Sequence, residues 1–114
     1  YEYRPQAILY NLHRIHNVFP DKEIFITENG IATDDDNERI EFVTDVLTDV
    51  HHYLSEHGKV MGYLYWSILD NFEWDLGYKM NFGLVEIDKK DFSRKPHNSA
   101  YWYGNISKTN NLSK

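Results

Sequence analysis

Two short stretches of this 114-residue chain combine acidic and aromatic side chains in a pattern that suits carbohydrate chemistry. Glu28 stands at the end of an apolar run, two residues before a glycine. Further along, Trp66 and Trp74 flank a segment that contains Asp70 and Glu73. Indole faces pack against the C–H face of a sugar, while carboxylates and amides bind its hydroxyl groups. The pattern therefore favours a sugar-binding site.

Glu28 and Glu73 are the acids best placed for catalysis, although each has a simpler explanation. In parallel α/β folds, functional groups gather at the C-terminal ends of strands, where Glu28 is expected. The two acids could form the carboxylate pair of a glycosidase, set about 5 Å apart in retaining enzymes. Equally, Glu28 could be a surface acid before a turn, and the tryptophans could form an aromatic patch under a long loop. Spacing in the sequence leaves these alternatives open.

The chain alternates helix and strand, which is the order of parallel βαβ units. Apolar residues at helical spacing predict a first helix that ends before Pro20. Residues 23–28 and 60–66 predict two strands that are buried on both faces. Between them, Asp35 predicts the start of a long helix through a capping box, and Gly58 predicts its end. Two such strands are too few for a complete sheet, so each needs neighbours that this sequence does not supply.

The remainder of the chain predicts a long excursion followed by one more helix. Residues 67–94 are rich in aromatic side chains and include a small hairpin around residues 82–87. The last helix is predicted at residues 96–106, and residues 107–114 are predicted to form a frayed tail. We assign all 114 residues to one domain.

Composition narrows the classes of partner. A net charge of −6 disfavours nucleic acid and anionic membranes, since both need a basic surface. The absence of cysteine excludes disulfides and thiolate metal sites. No apolar run approaches the ~18–20 residues that cross a bilayer, and no signal peptide is visible. Because the chain begins with Tyr1, we expect it to be part of a longer protein, and its compartment stays open.

Histidines and acids elsewhere in the chain predict neither a metal site nor a cofactor. His13 and His16 lie one helical turn apart, but the sequence places no third ligand beside them. The acids from Asp34 onward alternate like a calcium loop, yet Arg39 stands where that loop needs glycine, so helix capping explains them better. The remaining histidines of this kind, expected to face solvent, are His51, His52 and His57.

These stretches resemble the motifs of the family 1 glycoside hydrolases, the β-glucosidase family. Ile-Thr-Glu-Asn-Gly at residues 26–30 resembles the family's nucleophile motif, and residues 65–74 with Phe-Gly-Leu at 82–84 resemble its C-terminal signature. Residues 39–40 and 94–103 are similar to the family as well. The resemblance covers nearly the whole chain, with the motifs in the family's order and spacing.

The resemblance implies the C-terminal portion of a (β/α)8 TIM barrel, from the sixth helix through the eighth strand and helix, incomplete as an isolated chain. It implies a retaining exo-β-glycosidase that releases a terminal β-linked sugar, with Glu28 as nucleophile. Glu73 would bind the outer hydroxyls of the glycone and Trp74 the same sugar, while Trp66 would form the floor of the site. Phe82 is assigned to the substrate site with them. The peptide bond after Trp66 is expected to be cis.

The resemblance also revises the carboxylate pair, because the family's acid/base comes from an Asn-Glu-Pro motif on the fourth strand. This sequence has no such motif, so the chain is expected to be inactive alone and to need the missing N-terminal part of the barrel. Its partner would be a small β-glucoside or β-galactoside-type saccharide. The alternatives are a non-catalytic sugar- or protein-binding barrel of the same family and a thioglucosidase-like parent.

Two positions carry particular expectations within the family. Glu73 argues against the phospho-sugar branch, because a carboxylate there would repel a 6-phosphate. Asn81 stands where family members often carry a basic residue beside the phenylalanine of the signature. The sequence therefore leaves open which neighbouring residue pairs with the side chain of Asn81.

Overall fold

Two parallel strands form the centre of the fold and direct their C-terminal ends toward one edge. A computed structural model describes residues 2–112 of the chain. β1 and β2 pair from Ile24 opposite Val60 to Asn29 opposite Tyr65. The elements in chain order are α1 (Ala7–Val18), β1 (Ile24–Asn29), α2 (Asp36–His57), β2 (Val60–Tyr65), a 3-10 turn (Trp74–Leu76), β3 (Val85–Ile87), β4 (Arg94–Pro96) and α3 (Asn98–Thr109).

The helix α2 supplies most of the core. Val43, Val46 and Tyr53 lie along one face of it and are at most 1% exposed, and Leu12 of α1 packs with them. This face is the one that the helical spacing predicts. The apolar face of α1 is covered only in part, since Ile15 is 42% exposed.

The ends of α2 lie where the sequence predicts them. The side chain of Asp35 accepts the backbone N–H of Asn37 at 2.9 Å, which is an N-cap contact. Gly58 adopts φ 64°, and its N–H donates to the carbonyl of Leu54 at 2.8 Å. The predicted capping box is modified, because the carboxylate of Glu38 accepts a hydrogen bond from the hydroxyl of Thr33 instead.

The prediction that both strands are buried on both faces was wrong for this chain. Phe25 of β1 is 52% exposed and Leu64 of β2 is 50% exposed. Helices α1, α2 and α3 pack in one core cluster with the other face of the strands, which includes Ile26 and Tyr65. Each strand also has one neighbour only in the described part of the chain. The arrangement is an open portion of a barrel wall.

The small hairpin lies later than the sequence predicts. β3 and β4 pair antiparallel, with Val85 opposite Pro96, so the hairpin spans residues 85–96 and not 82–87. Its turn is made by Asp88 and Asp91, whose side chains each accept the backbone N–H two residues further on. Such Asx turns compete with strand pairing and set where the chain reverses.

Helix α3 begins and ends later than predicted. Pro96 is paired in β4, so the helix starts at Asn98, and it continues to Thr109. Residues 107–109, for which the sequence predicts a frayed tail, are therefore helical, while residues 113–114 lie outside the described part. Among the helices of residues 2–112, none is long and apolar enough to cross a membrane.

The open strand face generates a prediction about the isolated 114-residue chain. Unpaired strand edges and exposed apolar side chains promote association, so the chain should elute from size exclusion as oligomers. Met61→Lys, which places a charge on β2 at a residue 61% exposed, should reduce that association. Tyr101→Lys on α3, at a residue 69% exposed, is the matched control and should leave it unchanged. A monomeric wild-type chain with a sharp melting transition would contradict this expectation.

Candidate active site

A cleft of about 450 Å³ opens where β1 and β2 end. It gathers the five side chains that the sequence assigns to the site, namely Glu28, Trp66, Glu73, Trp74 and Phe82. The cleft is completed by the residues of the turn after Glu28. An acid and two indoles facing one cleft form the arrangement that sugar binding requires. The individual roles of these side chains stay predictions.

The pairing of the two strands sets Glu28 beside Trp66. Glu28 is exposed near the end of β1, and Trp66 follows the last residue of β2. The N–H of Trp66 donates to the carbonyl of Asn29 at 2.9 Å, which continues the ladder to the edge of the cleft. A Cβ atom on Gly30 would overlap the carbonyl oxygen of Trp66, so glycine permits this close approach. The bond between Trp66 and Ser67 is cis, as the resemblance implies.

Asn29, which also lines the cleft, is held in place by a tyrosine of β2. The hydroxyl of Tyr63 donates to the side-chain oxygen of Asn29 at 2.9 Å. Burial, and then the neighbouring phenols of Tyr103 and Tyr65, raise the pKa of Tyr63. The hydroxyl therefore stays protonated and remains a donor at neutral pH. Sequence analysis did not identify Tyr63, whose only signal is its place in the apolar run.

Glu73 and Trp74 are presented by a tight loop. The N–H of Glu73 donates to the carbonyl of Gly77, and the carbonyl of Glu73 accepts from Leu76, each at 2.8 Å. Trp74 has φ 40°, in the left-handed region that residues other than glycine rarely adopt. Its side chain is 84% exposed, whereas Glu73 is half-buried. The loop thus holds the carboxylate inside the cleft and the indole at its rim.

Phe82 forms a buried wall of the cleft and is 5% exposed. Its carbonyl accepts the hydroxyl of Tyr65 at 2.9 Å. Beside it, the side chain of Asp70 accepts the N–H of Gly83 at 2.8 Å. Asn71 donates to the hydroxyl of Ser67 at 2.8 Å. Asp70 and Asn71, which the sequence pattern groups with sugar-binding residues, therefore hold the loop in place.

Arg39 anchors the segment that precedes Phe82, and sequence analysis missed this role. The side chain is 1% exposed, and it donates to Asp36 at 2.7 Å. It also donates to the backbone carbonyls of Thr33 at 2.7 Å and Asn81 at 3.0 Å. The side chain of Asn81 donates to Asp34, so this position is paired although it lacks a basic side chain. The cleft wall is thereby tied to α2.

Asp36 links the same network to α3. Its carboxylate accepts the N–H of Ser99 at 2.9 Å and the hydroxyl of Ser99 at 2.6 Å, at the start of that helix. Partial burial would raise the pKa of Asp36, but the hydrogen bonds from Ser99 and Arg39 and the charge of Arg39 outweigh it and lower the pKa. The i, i+3 spacing of Asp36 and Arg39 is visible in the sequence, whereas Ser99 is 63 residues away.

Comparison with known proteins identifies the family to which this chain is similar. The sequence profile described as glycosyl hydrolase family 1 matches residues 1–112. Beta-glucosidase A of Thermotoga maritima is 35% identical over 98% of this chain, which corresponds to 27% of that relative. The 6-phospho-beta-galactosidase of Leptotrichia buccalis is 33% identical over 92% of this chain and 24% of its own length.

A solved structure shows the same fold. The beta-glycosidase from Pyrococcus horikoshii superimposes with a TM-score of 0.94 at 39% identity, over 100% of this chain and 26% of that chain. The chain thus spans about a quarter of the length of the proteins it matches.

The lowered pKa of Asp36 predicts how stability depends on pH. A carboxylate with a lowered pKa in the folded state stabilises the fold above its ordinary pKa of about 4, and this stabilisation is lost as the pH falls through the folded pKa. In the protein that carries this chain, Asp36→Asn should lower the free energy of unfolding by about 2 kcal/mol at pH 7. Denaturant titrations should show the difference from wild type shrinking below about pH 4.

Asp45→Asn, at an exposed position of the same helix, is the control for this experiment and should change stability by less than about 0.5 kcal/mol. A gap between wild type and Asp36→Asn that stays constant from pH 7 to pH 3 would show that Asp36 is not the titrating group.

Proposed function

The chain belongs to glycosyl hydrolase family 1, and from this premise we propose that it supplies half of the active site of a retaining exo-β-glycosidase. Its fold is the C-terminal portion of the (β/α)8 barrel of these enzymes. The observation that carries the proposal is the cleft in which Glu28, at the end of a strand, faces the same space as two indoles and Glu73. The substrate is a small saccharide with a terminal β-linked glucose or galactose unit.

In the proposed reaction, Glu28 is the nucleophile. Its carboxylate attacks the anomeric carbon and forms a covalent glycosyl-enzyme, while the bond to the leaving oxygen breaks. That oxygen takes a proton from an acid that this chain does not contain. The same acid, now ionised, then deprotonates a water molecule, which attacks the anomeric carbon and releases Glu28. Glu28 suits this role because it is exposed to the cleft and lies at the end of a paired strand.

The other lining residues bind the glycone. The indole of Trp66 forms the floor, and that of Trp74 covers the sugar from the rim. The carboxylate of Glu73 accepts hydrogen bonds from hydroxyls far from the reacting carbon. Phe82 closes one wall. Together they hold the anomeric carbon against Glu28, which is the positioning that a covalent step requires.

The rest of the barrel is needed for turnover. Beside the cleft lies a groove of about 600 Å³, lined mostly by apolar side chains of β2, β3 and α3. A neighbouring barrel strand fits this groove, because it would cover exposed residues such as Ile68 and pair with the open edge of the sheet. The acid/base must come from another strand of the missing part of the barrel, since the family carries it on the fourth strand. The presence of Glu28 favours this catalytic function over a non-catalytic sugar- or protein-binding barrel, while a thioglucosidase-like parent would keep Glu28 and lack the acid/base.

Replacement of Glu28 tests the nucleophile. In the full-length protein, Glu28→Gln keeps the size of the side chain and removes its negative charge, so kcat for an aryl β-glucoside should fall by about three orders of magnitude or more. Glu23→Gln, at an exposed acid just before the same strand, is the control and should keep wild-type turnover.

Undiminished turnover in Glu28→Gln would refute the assignment of the nucleophile.

The isolated 114-residue chain should release no aglycone above background, because it has no acid/base. Hydrolysis by that chain would refute the proposal that the acid/base comes from the missing part of the barrel.

Glu73 predicts a preference for unphosphorylated sugars. Its carboxylate would lie near the outer hydroxyls, so a 6-phosphate brings like charges together. The full-length protein should have kcat/KM at least about tenfold higher for an aryl β-glucoside than for its 6-phosphate. Glu73→Gln should narrow that ratio, whereas Asp75→Asn, at an exposed acid of the same loop, should not. Equal rates on both substrates in the wild type would rule out this source of specificity.

A further inference from the structure

Two histidines and a glutamate meet where the middle of α1 packs against the end of α2. Nε2 of His13 and Nε2 of His57 each lie 3.8 Å from the same oxygen, Oε2 of Glu56. The candidate ligand atoms of these three side chains all lie within 4.8 Å of one another. The sequence places no third ligand beside His13, whereas the structure brings Glu56 and His57 next to it from a helix more than forty residues further along.

We propose that His13, Glu56 and His57 form a binding site for a divalent transition metal of the zinc class. Two imidazoles and one carboxylate, with water as a fourth ligand, are a donor set that zinc accepts. Metal–ligand bonds of ~2.0–2.2 Å in a tetrahedron place ligand atoms about 3.4 Å apart. The two His–Glu distances of 3.8 Å therefore need a contraction of about half an ångström, and the distance between the two histidine nitrogens, which is within 4.8 Å, needs at most about 1.5 Å. All three side chains are partly exposed, which leaves room for that adjustment.

The ring of His57 is already oriented by its neighbours. His16 stacks on it with ring centroids 4.1 Å apart, and Tyr53 packs beneath it at 4.7 Å. Tyr53 also contacts the ring of His13, at 5.4 Å. The hydroxyl of Tyr53 is buried and has no hydrogen-bond partner among residues 2–112. Tyr53 contacts the rings of both histidines of the proposed site.

A simpler explanation is that the cluster contains only imidazolium–carboxylate pairs. His52 supports it, since its Nε2 lies 3.5 Å from the other oxygen of Glu56. The two explanations predict different effects of metal removal. Ion pairs contain no metal, so a chelator would leave the stability of the protein unchanged if the cluster contained ion pairs alone. The distances from Nε2 of His13 and Nε2 of His57 to the shared oxygen, 3.8 Å each, are longer than a hydrogen bond and leave space for an ion between the three side chains, which favours the metal.

The proposed site lies at the edge of the sheet opposite to Glu28. Helix α2 ends at His57, and Val60 begins β2 three residues later, whereas Glu28 and Trp66 lie where the strands end. The metal would therefore join α1 to α2 without contacting the sugar cleft. Its effect should be on stability, because an ion that binds only the folded state raises the melting temperature.

Zinc titration of the purified, untagged protein that carries this chain tests the site. After treatment with a chelator, ZnCl2 is added in competition with a chromophoric zinc indicator, which reports the affinity of the protein for zinc. We expect the wild type to bind one zinc ion at the proposed site. His13→Ala, His57→Ala and Glu56→Gln should each weaken that site at least about tenfold. His51→Ala, at an exposed histidine of the same helix outside the cluster, should bind zinc like the wild type.

Thermal unfolding gives a second readout. Zinc should raise the melting temperature of the wild type and of His51→Ala, but not of Glu56→Gln, and kcat should be unchanged by zinc at the concentration that fills the site. Glu56→Gln preserves side-chain shape, so the comparison holds even if a histidine variant does not fold. Equal zinc affinity in the wild type and Glu56→Gln would overturn the proposal and leave the ion pairs as the explanation of the cluster.

Discussion

The buried guanidinium of Arg39 is the constraint on which the rest of the described structure depends. Removing such a group from water is costly unless its charge is paired and its terminal nitrogens find acceptors. Asp36 neutralises it, and the carbonyls of Thr33 and Asn81 accept from it. One side chain thereby fixes the loop after β1 and the segment before Phe82 relative to α2. Because Asp36 also binds Ser99, the start of α3 is set by the same charge.

The same network restricts the geometry of the cleft. Asn81 precedes Phe82, whose carbonyl accepts the hydroxyl of Tyr65, and Tyr65 in turn precedes Trp66. Burial raises the pKa of Tyr65, although the positive charge of Arg39 opposes that shift, and the phenol remains a donor. Trp66 and Phe82, which line the same cleft, are therefore connected by a short path of hydrogen bonds and peptide bonds. A site built on paired strands and an anchored helix keeps its geometry better than one built on free loops.

What the sequence could predict follows from how far apart the interacting residues lie. The caps of α2 were confirmed because Asp35 and Gly58 act on their own helix. The membership in the family and the partial barrel were also foreseen, because motifs in order are a property of the linear sequence. The role of Arg39 was missed because Asn81 is 42 residues away and nothing local indicates that contact. The hairpin was misplaced because two Asx turns, and not the apolar run, decide where the chain reverses.

Under the proposed function, there is a physical reason why the nucleophile and the glycone-binding residues lie in this chain while the acid/base lies in the missing part of the barrel. Glu28 and Trp66 come from neighbouring parallel strands, so their relative position is set by backbone hydrogen bonds alone. A retaining enzyme needs its second catalytic carboxyl about 5 Å from the nucleophile, on the side from which the leaving oxygen departs. Glu28 is exposed in the cleft described here, and none of the residues assigned to the site in this chain is the second catalytic carboxyl. Recognition of the glycone is therefore a property of these two strands and their loops, whereas proton transfer depends on the closure of the barrel around them.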